Sequence, residues 1–324
     1  MTLKKEWMYS KRKENSMLNT KAVVTGANGF VGTWLVKELV NKGVTVFAVI
    51  KDENEDISAI SGLDNVNIVY CELSEIKQLA EKISERDFAC FYHLAWVGSG
   101  GPLRADYNIQ LNNSKFACDA AYAAKELKCS KFLCAGTVTE NIVDSTLDSE
   151  NVSQNMMYGI SKKNTHLMLN VYCHMIGLKF IWMQFSNIYG PNNLSGNLIS
   201  YTMTELINGR RPSFSKGTQP YDFIYIKDLV RAAYLLGYTD VPKNTYFLGS
   251  GNSRKLCEYL SDIPKILGNG YEVGIGERPE DGVVYHKEWF DISPLKNDTG
   301  FSAEYTFEQG IKETYEWVRS VQKG

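Results

Sequence analysis

The chain has 324 residues, with 35 Lys and Arg against 37 Asp and Glu and a formal net charge of −2. Charges of both signs are interspersed, which excludes a dedicated nucleic-acid or membrane surface, and no apolar run is as long as a membrane span. The length exceeds that at which a single core stops growing, so two lobes are expected. Seven cysteines (Cys71, Cys90, Cys118, Cys129, Cys134, Cys173 and Cys257) are scattered without a C-x-x-C pair, beside only four histidines. This predicts reduced thiols in a cytoplasmic protein and no metal site. No secretory apolar segment is present.

The opening stretch, "MTLKKEWMYSKRKENS", is basic and polar and has no periodicity. Residues 1–17 are expected to form a disordered leader. Codons for Lys13-Glu14 can resemble a bacterial ribosome-binding sequence just before Met17. Met17 is therefore the expected biological start, to be checked by N-terminal sequencing of native protein.

From Lys21 short apolar strands alternate with amphipathic helices. "KAVVTG" reads as a strand, "FVGTWLVKELVNKG" as a helix ending at Gly43, and "VTVFAVI", "VNIVY", "FACFYHLA" and "KFLCAGT" as the next four strands. Long helices flank the fifth strand, and "KFIWMQFS" is a sixth. Continuously apolar strands separated by helices predict a doubly wound parallel α/β sheet covered on both faces. After Tyr189 the rhythm changes: a loop, a helix near Leu198 to Asn208, an irregular stretch, then strand and helix again in "FIYIKDLVRAAYLLG". The expected division is a nucleotide-binding domain of residues 18–187 plus 222–249, and a smaller mixed C-terminal lobe of residues 188–221 plus 250–324.

"TGANGFVG" follows the first strand and opens the first helix, with Gly26, Gly29 and Gly32 at G-x-x-G-x-x-G spacing. Gly26 allows a tight turn, Gly29 lets backbone N–H groups approach a pyrophosphate, and Gly32 lets the helix pack on the strand. The pattern predicts dinucleotide binding. An NAD site usually ends the second strand with an acid for the ribose hydroxyls, and an NADP site with a cation. Here Ile50 stands in that place, Lys51 follows, and Asp52 is expected to point away. NADP is therefore expected, with Lys51 on its 2′-phosphate and NAD as the alternative. A solvated loop lysine is the other reading of Lys51. "YGISK" places Tyr158 and Lys162 on one helical face. Taken alone, this is compatible with a half-buried ring beside a snorkelling ammonium.

Taken in order, "TGANGFVG", "FYHLAW", "KFLCAGTVTEN", "YGISK", "SNIYGP", "YDFIYIKDLVRA" and "ERPED" resemble the extended short-chain dehydrogenase/reductase family, in the branch that acts on nucleotide sugars. The resemblance covers nearly all of Lys21 to Gln322. It implies a Rossmann domain with a smaller lobe that holds a nucleotide-diphosphate sugar. It further implies Thr137, Tyr158 and Lys162 as catalytic residues. The chemistry agrees, because a nearby ammonium favours phenolate and lowers the pKa of a phenol. Expected cofactor-binding positions are Gly26, Asn28, Gly29, Phe30, Val31, Lys51, Glu72, Leu73, Leu94, Ala95, Tyr158 and Lys162. Expected substrate-binding positions are Trp96, Thr137, Asn187, Tyr221 and Arg278.

Several residues depart from the family pattern. Trp96 replaces an alanine, either as a wall of the site or as core. "AGT" replaces the usual Ser-Ser before Thr137, which Gly136 is expected to accommodate through its backbone. Tyr221 stands where many relatives carry a diphosphate-binding arginine. That leaves Arg278, helped by Arg211 or Lys216, as the clamp; a surface salt bridge is its other reading. His93 is expected to be structural. Nucleotide-sugar 4,6-dehydratases place Asp-Glu directly after the catalytic Thr; here Val138 and Thr139 follow, and Glu140 is one position late. Dehydration is therefore not expected.

Two enzymatic readings remain. The first is an NADPH-dependent 4-ketoreductase of a nucleotide-linked (6-deoxy)sugar, similar to abequose or paratose synthases. The second is an NAD-dependent nucleotide-sugar 4-epimerase. Lys51 tilts the choice to the reductase. A regulator that senses NADP on the same fold is the non-enzymatic alternative, and retention of Tyr158, Lys162 and Thr137 argues against it. The helices near Tyr107–Leu127 and Met157–Gly177 are apolar on more than one side. They predict a homodimer through a four-helix interface.

Overall fold

Seven short runs dominated by apolar residues become parallel strands because nearly all of them are buried on both faces. The structure, a computed structural model, describes residues 20–146, 153, 156–193, 195–268, 270–280 and 284–323. The expected leader, including Met17, lies outside the described residues. In chain order the elements are β1 (Lys21–Thr25), α1 (Phe30–Asn41), β2 (Thr45–Ile50), β3 (Val66–Tyr70), α2 (Leu79–Lys82), β4 (Cys90–His93), α3 (Tyr107–Glu126), β5 (Lys131–Thr137), α4 (Met156–Met175) and β6 (Lys179–Phe185). Then come β7 (Asn187–Tyr189), α5 (Leu198–Ile207), β8 (Ser213–Phe214), β9 (Pro220–Tyr221), β10 (Phe223–Tyr225), α6 (Ile226–Tyr238) and β11 (Thr245–Leu248). The last are β12 (Arg254–Lys255), α7 (Leu256–Leu267), β13 (Gly274–Ile275), α8 (Ser293–Thr299) and α9 (Phe307–Lys323).

The main sheet has the order β11-β6-β5-β4-β1-β2-β3, all strands parallel. Alternate residues of each strand enter opposite cores, as strand geometry requires. Ala22, Val24, Val46 and Ala48 face α1 and α6, where Leu35, Leu39, Leu229 and Ala232 meet them. Val23, Phe47, Phe91 and Phe132 face the other way, onto the small-residue face of α3 at Ala117, Ala120, Ala121 and Ala124. This is the doubly wound arrangement expected from the alternation. Strand order reverses between β1 and β4, and in open α/β sheets a crevice opens at such a switch point.

The stretch "FIYIKDLVRAAYLLG" forms β10 and α6, but β10 pairs with β7 outside the main sheet. The seventh strand of the sheet is β11. Two further small ladders, β9 with β12 and β8 with β13, lie among α5, α7 and α9. Aromatic rings cement this part: Tyr259 meets Phe307 at 4.8 Å and Phe223 at 5.1 Å between centroids. Among the described residues, no helix is long and apolar enough to cross a membrane.

Candidate active site

The switch point is fastened by a threonine and a histidine. The Thr25 hydroxyl accepts from the backbone N–H groups of Leu94 and Ala95 at 3.2 and 3.3 Å. Its own proton is left for His93 Nδ1, 3.0 Å away, so the ring carries its proton on Nε2. His93 is buried, and burial pulls its pKa down to about 3. It is a neutral strap between strand ends, as expected of a structural residue.

The glycine turn leaves this point with each glycine held by a different constraint. Gly26 has φ of 66°, and a Cβ there would sit 3.0 Å from the Ala95 backbone. A Cβ on Gly32 would lie 2.0 Å from the Gly26 carbonyl oxygen, so α1 can approach β1 only without one. Gly29 caps α1 with extended backbone and no side-chain hydrogen bond, leaving the first N–H groups of the helix for an anion. This cradle fits a pyrophosphate.

Two cavities meet at the turn. One, of about 350 Å³, is lined by Lys51, Glu55, Glu72, Leu73, Ala95 and Trp96 among others. Lys51 is the one cation among its described lining residues. Its ammonium is largely exposed and lies 3.4 Å from the Asp52 carboxylate, and Asp52 itself is not among the cavity's described lining residues. Glu55, absent from the sequence expectations, lines this cavity and accepts from the Asn28 amide at 3.0 Å. The other cavity, of about 490 Å³, brings together Gly26, Asn28, Gly29, Phe30, Val31, Leu94, Ala95, Trp96, Thr137, Tyr158, Asn187 and Tyr221. Residues that lie far apart in the chain thus face one space. Together the two cavities suit an extended dinucleotide running from Lys51 towards Tyr158.

Tyr158 and Thr137 lie in the second cavity, while Lys162 is buried beside it. The Lys162 ammonium donates to the Ala135 carbonyl at 2.7 Å and sits 3.5 Å from the centre of a Trp96 ring. It is 5.8 Å from the Tyr158 ring centre. Burial pulls Lys162 down to about 8. Burial likewise pushes Tyr158 up to about 12, against the Arg104 charge and a hydrogen bond with Thr137. The sequence expectation that Lys162 sets a low phenol pKa therefore differs from the structure: the ammonium is engaged by a carbonyl and an indole, and burial dominates.

Beneath the pair lies a network invisible in the sequence. Glu140, buried, accepts from the Thr137 backbone N–H at 2.7 Å and from Trp182 Nε1 at 3.0 Å. His166 reaches the same carboxylate at 3.3 Å and stacks on Trp182 with centroids 4.7 Å apart. Glu140 thus points under the strand end and not into the cavity, as its late position suggested. The indole also explains "AGT": a Cβ on Gly136 would lie 2.1 Å from Trp182 Nε1. Gly136 is required by packing, beyond merely supplying backbone.

On the substrate side, the Tyr221 hydroxyl donates to Asn187 Oδ1 at 2.8 Å, and the Asn187 amide donates to the Asp222 carbonyl at 3.1 Å. Arg278 does not line either cavity. Its guanidinium donates to Ser213 at 2.9 Å and to the Tyr201 hydroxyl at 2.7 Å. Arg211 pairs with Glu277, and the Lys216 backbone N–H donates to Glu280. Arg104, Ser99, Asn193 and Asn197 line the second cavity without having been singled out. Asp106, two residues after Arg104, caps α3 by accepting from Ile109 N at 3.0 Å.

Comparison with known proteins extends this geometry. The chain is 28% identical over 193 residues to a dTDP-glucose 4,6-dehydratase of Escherichia coli, covering 55% of this chain and 52% of that protein. It is 24% identical over 312 residues to CDP-abequose synthase of Salmonella typhimurium, covering 92% of this chain and 98% of that protein. A solved UDP-N-acetylglucosamine 4-epimerase from Methanobrevibacter ruminantium M1 shares the fold with a TM-score of 0.78 at 23% identity, over 94% of this chain and 100% of that one. The sequence profile of one family matches residues 22–249, from β1 through β11. With the glycine turn at the switch point of a parallel sheet and that match over most of its length, the chain belongs to the NAD dependent epimerase/dehydratase family.

Proposed function

We propose that the protein reduces a nucleotide-linked 4-keto-(6-deoxy)sugar to the alcohol, using NADPH. One observation carries this: Tyr158 and Thr137 share a cavity with the glycine turn, so acid and hydride source can meet at one carbonyl. The bound dinucleotide supplies the hydride. Tyr158 gives its hydroxyl proton to the carbonyl oxygen, and Thr137 hydrogen-bonds that oxygen as charge develops. Lys162 holds the nicotinamide ribose and adds positive potential beneath the site. Residues 188–221 and 250–324 hold the nucleotide sugar, with Trp96, Asn187 and Tyr221 lining its place. Arg278 joins as a clamp by leaving Ser213 and Tyr201.

Lys51 supports NADPH, since a 2′-phosphate suits the one cation among the described residues lining the first cavity. Glu55 and Glu72 line the same cavity and favour a second reading, an NAD-dependent nucleotide-sugar 4-epimerase, because carboxylates accept from ribose hydroxyls. Cofactor analysis separates the two. Rapid oxidation of added NADPH by a nucleotide-linked 4-keto sugar supports the reductase. Protein isolated with stoichiometric NAD, interconverting C4 epimers without added cofactor, would overturn it. Lys51→Ala is expected to raise the Michaelis constant for NADPH about tenfold or more and leave that for NADH nearly unchanged.

We further infer that the chain forms a homodimer through α3 and α4. Leu111, Leu167, Val171 and Met175 are each at least 60% exposed on these helices. A surface of this kind is normally covered by another. A monomeric mass at micromolar concentration would count against it.

A further inference from the structure

The loop between β4 and α3 carries a cation placed directly on the phenol. Arg104 lies in the 3-10 turn Pro102–Ala105, and its guanidinium carbon is 3.9 Å from the centre of the Tyr158 ring. It lines the same cavity as Thr137 and Tyr158. The loop is fastened from within. Arg104 Nη1 donates to the Ser99 carbonyl at 2.7 Å. The buried Gln110 amide donates to the Gly98 and Leu103 carbonyls at 3.0 and 3.2 Å, while its oxygen accepts from Trp96 Nε1 at 3.0 Å. Gly98 has φ of 70°, and a Cβ there would lie 2.7 Å from the Leu103 carbonyl oxygen. The guanidinium is therefore held in place over the ring by a closed loop.

We propose that Arg104 is a positioning residue for the proton-donating tyrosine: its guanidinium clamps the Tyr158 ring and stabilises the phenolate left when the proton departs. The inference rests on Tyr158 being the acid. In the step concerned, the Tyr158 O–H bond breaks, the proton bonds to the substrate oxygen, and the electron pair stays on the phenolate until solvent returns a proton. The resulting charge spreads into the ring, so a cation over its face stabilises phenolate more than phenol. Arg104 is the nearer cation, since Lys162 lies 5.8 Å from the ring centre and is engaged by Ala135. The other groups facing Tyr158 are Glu140 from the turn after β5, Cys134 from β5 and the Thr137 hydroxyl. Glu140 and Cys134 oppose ionisation, so Arg104 offsets them together with Thr137. Arginine suits the task because it stays charged at all working pH values.

The test uses the full chain with a fluorinated tyrosine placed at position 158 alone. Fluorination lowers the phenol pKa into the accessible range and gives a fluorine resonance that reports its ionisation. Arg104→Gln is expected to raise the titration midpoint by about one pH unit, and Arg104→Lys to restore most of that shift. With unmodified Tyr158, any Tyr-dependent limb of the pH–rate profile should move in the same direction. A midpoint unmoved by Arg104→Gln in folded protein would overturn the proposal. So would an equal rise in Arg104→Lys, because the charge would then not be the cause. A fully active Tyr158→Phe variant would instead sink the assignment of the acid, whatever the fluorine midpoint shows.

Discussion

Replacing Glu140 probes the floor of the site without touching the cavity. Its buried carboxylate receives the Thr137 N–H at 2.7 Å in partly buried surroundings and the Trp182 N–H at 3.0 Å in fully buried ones. Glu140→Leu removes the acceptor of both donors and leaves the buried indole N–H and the partly buried Thr137 N–H unpaired. Each unpaired donor costs about 1–3 kcal/mol, roughly 2–6 kcal/mol together. Leucine avoids burying a carboxylate, which offsets part of that cost, so a net loss of about 3–4 kcal/mol is expected. Glu140→Gln behaves differently. Its carbonyl oxygen can take the position of Oε1, which accepts both donors, and its NH₂ can donate to His166 Nδ1, although at Oε2 it also faces the Trp182 N–H at 3.1 Å. That variant should lose only about 1 kcal/mol. At roughly 2 °C per kcal/mol for a chain of this size, the melting temperature should fall by about 6–8 °C for Leu and about 2 °C for Gln. Thermal scans at one fixed rate, with dinucleotide affinity measured alongside, give the comparison. A Leu variant melting within 2 °C of wild type, roughly 1 kcal/mol, would show that these two hydrogen bonds do not anchor the strand end.

Tyr158→Phe keeps the ring and deletes the acid, so turnover should fall by about 10²–10⁴ with dinucleotide affinity nearly unchanged; Lys162→Met should lower both, and Thr137→Val should slow turnover less than Tyr158→Phe. Gly136→Ala places a methyl where the Trp182 indole stands, 2.1 Å away, and should destabilise by about 1–3 kcal/mol or more; by calorimetry the same change should cost less in a Trp182→Leu background, itself less stable. His93 gives a pH dependence with a definite sign. It is neutral in the fold down to about pH 3 and takes a proton near pH 6.5 when unfolded, so unfolding takes up a proton between those values. Stability should fall with decreasing pH by up to about 1.4 kcal/mol per unit in that window, and in melts from pH 7 to pH 5 His93→Asn should show a shallower pH slope, the difference approaching one proton only near pH 5.

The local patterns of this chain were legible without coordinates. Continuous apolar runs fix strands, because a strand buried on both faces has no place for charge, and all six strands read before Tyr189 occur in the main sheet. The glycine spacing likewise marked the turn: the positive φ of Gly26 and the close approach of Gly32 to the Gly26 carbonyl are local, although the Ala95 backbone that also crowds Gly26 comes from a distant strand end. The same holds for α5, expected near Leu198 to Asn208 and found at Leu198–Ile207. What the sequence could not show are contacts made only when distant elements close on one another. Gly136 is required by an indole 46 positions later, delivered by the register of β5 on β6. Glu140 is aimed by Trp182 and the Thr137 N–H, Arg278 is occupied by Tyr201 and Ser213, and Lys162 is turned to Ala135. Arg104 reaches Tyr158 only because Gln110 ties its loop down. Secondary structure follows from near neighbours, whereas the partner of a long charged side chain is chosen among many groups of similar energy. Packing decides which of them is within reach.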